Sequence, residues 1–209
     1  MSERSAPTEP GEGRPEGRRA GRPRDPRIEA AALEAARALL IEVGPGEMTM
    51  AAVADRAGTT KAALYRRWPG LVHLVYDAAF PTDLLLADEY ALGSDSGAAL
   101  DLGRLVRGAR DAFTRPVVAA ALPMLLAEFS AHPELHAALI SRFAGVFADL
   151  DERLREGAAA GRVAAGVRAD DVMGALIGSL LTGLLLAPAD LDDAWADRLT
   201  LLLERGIRP

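Results

Sequence analysis

The sequence predicts an all-α protein of about nine helices, on three observations. Apolar residues recur at spacings of three and four through nearly the whole chain, and no stretch competes with the period of two that marks a strand. Alanine is abundant and aromatics make up 5% of the chain, which favours helix over sheet. Clusters of glycine and proline punctuate the helical stretches. Half of the 209 residues are apolar, enough for a real core. No segment repeats at a solenoid period. The absence of cysteine excludes a disulfide framework and thiolate chemistry.

Residues 1–24 are rich in Gly, Pro, Arg and Glu, a composition that stays disordered in isolation. Gly21-Arg22-Pro23-Arg24 resembles the core of an AT-hook, which lays arginines in a narrow minor groove. Arg22 and Arg24 are therefore candidate DNA contacts; the alternative is a solvated tail. Asp25-Pro26 opens the first helix, Asp as cap and Pro at the first helical position. Ile28, Ala32, Ala35, Leu39 and Val43 form one apolar stripe along it. Gly44-Pro45-Gly46 ends it.

Two short helices follow. Thr49 is placed as an N-cap, with Met48 and Val53 spaced as a hydrophobic staple. Gly58 ends the first, because glycine takes the left-handed cap conformation cheaply. Thr60 caps the second, which begins at Lys61, and Trp68-Pro69 closes it. This is the helix-turn-helix pattern, whose second helix can enter a DNA major groove. That helix exposes Thr60, Lys61, Ala62, Tyr65 and Arg66, small residues for close approach and donors for phosphates and base edges. An ordinary helical hairpin has the same spacing.

The residues themselves go further. Thr49-x-x-x-Val53-Ala54-x-x-Ala57-Gly58-x-Thr60-x-x-x-Leu64-Tyr65-x-x-Trp68-Pro69 closely resembles the DNA-binding motif of the tetracycline-repressor (TetR) family. The resemblance implies a dimeric transcriptional regulator, most commonly a repressor, that binds a palindromic operator in double-stranded DNA and is released by a small-molecule effector. It departs at Leu71, where such proteins often carry a phosphate-holding lysine. The expected organisation is a basic arm over 1–24, a DNA-binding module over 25–69 and a ligand-binding and dimerisation domain over 70–209.

The charge of the chain is distributed to suit this. The net charge is −6, but residues 1–70 carry 12 basic and 10 acidic side chains, while residues 71–209 carry 12 and 20. Positive charge thus sits beside the helix-turn-helix, where phosphates need it. The acidic remainder is repelled by DNA.

A fourth helix, about Gly70 to Phe80, carries Leu71, Leu74, Val75 and Ala78; the resemblance implies that its tilt transmits ligand binding. Pro81 to Gly97 reads as a loop, with a short buried turn at Leu84-Leu85-Leu86. Helices follow over about Ala98–Phe113, Pro116–Ser130, with Pro123 as a kink or break, and Pro133–Ala160, ended by Gly161. Asp170 is placed to cap a helix to about Ala187. Asp192 or Asp193 opens the last, to about Arg205.

The Val172–Ala189 stretch is uncharged and apolar nearly all round. Acidic residues at both ends argue against a membrane span. Gly174, Gly178 and Thr182 form a small-residue edge that permits close helix approach. With Leu180, Trp195 and Leu199 they are candidate homodimer contacts in a four-helix interface; a fully intrachain core is the alternative. In the middle helices Met124, Phe143 and Phe147, with Glu128 as a polar partner, are candidate ligand contacts for a hydrophobic effector. Such residues are also ordinary core. Phe129 is a further candidate wall, and His136, Arg142 and Ser179 are further polar candidates.

No cofactor is expected. His132 and His136 have a metal-binding spacing, but Pro133 sets the helix start between them, and no suitably spaced carboxylate or third ligand is evident. No metal site and no catalytic residue is assigned; the alternatives to a DNA-binding regulator are a helical protein-binding adaptor and, behind it, a small all-α enzyme. A phosphate loop and a nucleophile elbow are absent. No secretory signal is visible, and a cytoplasmic location is expected.

Overall fold

The computed structural model describes residues 26–81, 100–186 and 190–209. Among them are nine α-helices and no strand. Arg22, Arg24, the Asp25 cap and the Leu84-Leu85-Leu86 turn lie outside the described residues.

Helix α1 (Pro26–Glu42) starts on the proline that presets its φ, and buries Ala32, Ala35, Ala36, Leu39 and Leu40. Val43 was expected on the stripe, but it lies past the helix end and is exposed. Gly44, at φ +76°, turns the chain there. Helices α2 (Met50–Arg56) and α3 (Lys61–Tyr65) are short. Helix α4 (Leu71–Ala79) buries Val72, Leu74, Val75, Tyr76, Ala78 and Ala79, so it is enclosed on most sides. It packs between α1 and α6 (Pro116–Glu128). Because α1 also contacts α6, the N-terminal helices and the rest share one continuous core.

Helix α5 (Leu102–Phe113) begins where the Asp101 carboxylate accepts from Arg104 N at 2.8 Å, four residues later than the expected start. Pro123 does not break α6. It is exposed, so water can reach the carbonyl that the missing N–H leaves free, and the helix continues. Helix α7 (Pro133–Ala159) is the longest at 27 residues, and Gly161 at φ +67° ends it.

Helix α8 spans Ala169–Leu181 and runs on as a π-turn over Thr182–Leu186. Its cap corrects the expectation. Arg168, not Asp170, occupies the N-cap position without a side-chain bond. The Ala169 amide is instead satisfied from α7, by the Asp151 carboxylate at 2.9 Å. Helix α9 (Asp193–Gly206) is capped by Asp192, whose carboxylate accepts from Trp195 N at 2.7 Å.

Residues 169–186 are long and apolar enough to cross a membrane by length and composition alone. Val172, Met173, Leu176 and Leu180 face the core. The exposed positions are Asp170, Asp171, Gly174, Ala175, Gly178, Thr182 and Leu186.

Candidate nucleic-acid interface

Local chemistry builds the reading head. The Thr49 hydroxyl accepts from Ala52 N at 3.1 Å and opens α2. At the other end Thr59 N donates to Ala54 O and Gly58 N to Asp55 O, at 2.9 and 3.2 Å. Those two bonds are the Schellman arrangement, which requires the left-handed residue that Gly58 supplies at φ +62°. Two residues on, the Thr60 hydroxyl accepts from Ala63 N at 3.1 Å and opens α3. The chain reverses within four residues because both helix ends are satisfied from inside the turn.

Helix α3 then has two unlike faces. Ala63 and Leu64 are buried, while Thr60, Lys61, Ala62, Tyr65 and Arg66 are exposed. All five residues expected on the outer face are there. Lys61 and Arg66 form no ion pair among the described residues. Nearby arginines are engaged: Arg56 bonds Glu42 at 2.6 Å, holding α2 to α1, and Arg67 lies 4.0 Å from Glu29. The Arg56 guanidinium also holds the Glu42 carboxyl below its ordinary range. Among the described residues of α2 and α3, Lys61 and Arg66 on the outer face of α3 are left without an acidic partner. Thr49 itself is exposed but its hydroxyl is committed to the cap. Leu71 leans on the core, so it supplies no substitute for a phosphate-binding ammonium.

Behind α3 the structure ties the head to the body. Trp68 is buried, and its indole Nε1 donates to Asp77 Oδ2 at 2.9 Å. The other oxygen of Asp77 lies 3.4 Å from Arg142 Nη2 on α7. Arg142 also donates to the Phe80 carbonyl at the end of α4, and its guanidinium sits 4.9 Å from the Tyr76 ring centroid. A cation at a helix C-terminus interacts favourably with its dipole. Burial raises the Tyr76 hydroxyl pKa above its ordinary value, and Arg142 opposes that rise. From the other side, Arg37 of α1 donates to Ala78 O at 3.1 Å.

Two family comparisons match this chain. Residues 32–75 match the bacterial regulatory proteins of the tetR family. Residues 96–203, just over half the chain, match the tetracyclin repressor-like C-terminal domain.

The chain belongs to the TetR family.

Several solved structures share its fold. The TetR family transcription regulator SCO0332 is 26% identical, with a TM-score of 0.60 over 88% of this chain and 100% of that one. The multidrug binding protein EbrR complexed with imidazole is 23% identical, with a TM-score of 0.65 over 93% and 97%. NalD of Pseudomonas aeruginosa, the secondary repressor of the MexAB-OprM multidrug efflux pump, is 20% identical, with a TM-score of 0.61 over 88% and 98%. No curated protein matches the chain in sequence. As a TetR-family member the chain is a DNA-binding transcriptional regulator, with α2 and α3 as its helix-turn-helix.

The remaining expected residues of this TetR regulator divide. Gly174, Gly178 and Thr182 are exposed along α8, and with Trp195 they line one shallow groove. Leu180 and Leu199 do not join them: they are 0% and 7% exposed, turned into the chain's own core. They offer no surface to a partner. Met124, Phe143 and Phe147 are half-buried and pack on the core. Glu128 instead lies 3.5 Å from His132 Nε2. Clefts of about 300 Å³, between α5, α7 and α9, and about 290 Å³, between α1, α4 and α6, are lined by other residues.

Sequence reading also missed Asp77, because its two partners are nine and 65 residues away. It missed the surroundings of His132 as well. Glu134 Oε1 lies 3.1 Å from His132 Nδ1, and His73 of α4 faces the same oxygen. The Glu134 carboxyl is held below its ordinary range, first by its own backbone amide and then by the two imidazoles. His136 turns the other way, onto Phe129.

Proposed function

We propose that the chain is a repressor which, as a two-fold homodimer, binds a roughly palindromic operator through α3 and is released by a small hydrophobic molecule. The observation that carries this is the outer face of α3. It presents Thr60, Lys61, Ala62, Tyr65 and Arg66 to solvent, with its two cations unpaired among the described residues. Paired heads would read half-sites about 34–36 Å apart. Arg22 and Arg24 would add minor-groove or phosphate contacts from the N-terminal arm. The functional division is an arm over 1–24, a DNA-binding module over 25–69, and a ligand-binding and dimerisation domain over 70–209. Access to operator DNA implies a cytoplasmic chain.

Release requires an effector that binds two states unequally. A coupling of ~1–3 kcal/mol changes operator occupancy 5–150-fold. The tie from Trp68 through Asp77 to Arg142 supports α4 as the element that carries it. A ketosteroid transcriptional regulator of Mycobacterium tuberculosis shares the fold, which supports an apolar effector; Met124, Phe143 and Phe147 would be its walls.

Selection of bound DNA from a random pool tests the proposal directly. A palindromic consensus is expected, bound by the native chain and much more weakly by Lys61→Ala and Tyr65→Ala. A product without two-fold symmetry, or equal gel-shift affinity for both variants, overturns it.

A further inference from the structure

The chain holds three histidines and no cysteine, and two of the three imidazoles converge on one carboxylate. His73 stands in the first turn of α4 with its side chain 17% exposed. Its Nδ1 is buried without a hydrogen-bond partner, so Nε2 is the only polar outlet of the ring. That atom lies 3.4 Å from Glu134 Oε1. His132, just before α7, places Nδ1 3.1 Å from the same oxygen. The two rings stand edge to face with centroids 5.2 Å apart. One donor atom from each of the three residues lies within 4.8 Å of the other two.

These separations suit a metal ion. Tetrahedral zinc with bonds of about 2.0–2.1 Å holds its donors on edges of roughly 3.4 Å. Both edges that meet at Glu134 are close to that length. The third is no longer than 4.8 Å, and a modest rotation of the partly exposed His132 shortens it. His132 also has an outer-shell partner. Glu128 Oε2 lies 3.5 Å from His132 Nε2, on the ring nitrogen that faces away from the cluster. A carboxylate there fixes the tautomer and orientation of a metal-bound imidazole. Two nitrogens and one oxygen select a borderline ion such as Zn(II), Co(II) or Ni(II) over Mg(II) or Ca(II), which want oxygen alone.

We propose that His73, His132 and Glu134 form a binding site for one divalent transition ion of the zinc class, with water completing the tetrahedron and Glu128 orienting His132. The ion would tie the first turn of α4 to the α6–α7 turn. Any effect on operator affinity rests on the repressor reading; ion binding itself does not.

Titration of the untagged full-length chain with Co(II), followed by its visible absorption, and with Zn(II) by calorimetry, tests the site. One ion per chain is expected. His73→Gln and His132→Gln should each abolish saturable binding while far-UV dichroism stays helical. Glu128→Gln should keep the stoichiometry and weaken affinity ~10–100-fold. His136→Gln should change neither. No saturable binding by the native chain, or undiminished binding by His73→Gln or His132→Gln, overturns the proposal. Ion binding that leaves operator affinity unchanged overturns only the coupling.

Discussion

Trp68 and Asp77 are joined by a hydrogen bond of 2.9 Å from the indole Nε1 to Oδ2. The bond spans the end of the helix-turn-helix and the last turn of α4, and the same carboxylate faces Arg142 of α7. One side chain thus touches the reading head, the connecting helix and the body of the chain.

Removing that carboxylate should therefore loosen more than one contact. Asp77→Ala leaves the buried Trp68 donor without its acceptor, a loss of about 1–3 kcal/mol for a group cut off from water. The Asp77 side chain is 42% exposed, so water replaces part of the loss and the lower half of that range is expected. The melting temperature should fall by roughly 2–8 °C for a chain of this size. Asp77→Asn keeps an oxygen for Trp68 and should recover most of the fall. A melt of Asp77→Ala that overlays the native curve would show that the bond contributes nothing.

Gly58 should be costly to replace for a reason confined to the backbone. It sits at φ +62°, and an added Cβ would meet nothing within 4 Å. Steric conflict with neighbours is therefore excluded, and only the left-handed conformation opposes a side chain. Gly58→Ala should lower stability by about 1–2 kcal/mol, and Gly58→Asn by less, since asparagine visits that region more readily. Urea unfolding should show a shifted midpoint with an unchanged slope.

These two sites also show what the sequence makes legible. The helix-turn-helix is written in residues three apart: Thr49 with Ala52, Gly58 with Asp55, Thr60 with Ala63. Such bonds depend on the local chain, and spacing reveals them. Leu180 and Leu199 were not assignable that way. Helix α8 is apolar on most sides, so periodicity cannot say which apolar side its own chain covers. The cap of α8 was misplaced for a related reason: Asp151, which serves it, is 18 residues away on another helix. The contacts of Arg142, on α7, with the end of α4 and of Glu134 with His73 are of the same kind, created only when α7 packs.

The Arg110–Asp193 pair gives a pH dependence with a definite sign. Arg110 Nη1 lies 2.6 Å from Asp193 Oδ1 and joins α5 to the first turn of α9. The Asp193 carboxyl is held below its ordinary range, chiefly by this hydrogen bond and then by the charge of Arg110. A depressed carboxylate stabilises the fold above the unfolded value, about 3.9, and ceases to do so as pH falls through the folded value. Native protein should thus be more stable than Asp193→Asn near neutrality, with the gap closing below about pH 3.9. Asp193 is exposed, so the gap should also shrink with added salt. A gap that widens in acid would contradict the assignment.

The two edges of α8 predict opposite mutant behaviour. Gly178 is exposed and a Cβ there would meet nothing within 4 Å, whereas Leu180, two residues on, is fully buried. Within one chain Gly178→Leu costs no packing and gains helix propensity, about 0.5–1 kcal/mol. Across a two-fold interface that closes on the edge of Gly174, Gly178 and Thr182, the same leucine blocks the approach of the partner helix. The variant should therefore sediment as a monomer or a weakened dimer while its secondary structure persists. Leu180→Ala should do the reverse, losing about 2–5 kcal/mol of stability through the cavity it opens without shifting the association constant of the protein that remains folded. If Gly178→Leu still sediments as the native dimer at micromolar concentration, the partner sits elsewhere, and the groove beside Trp195 is not the interface.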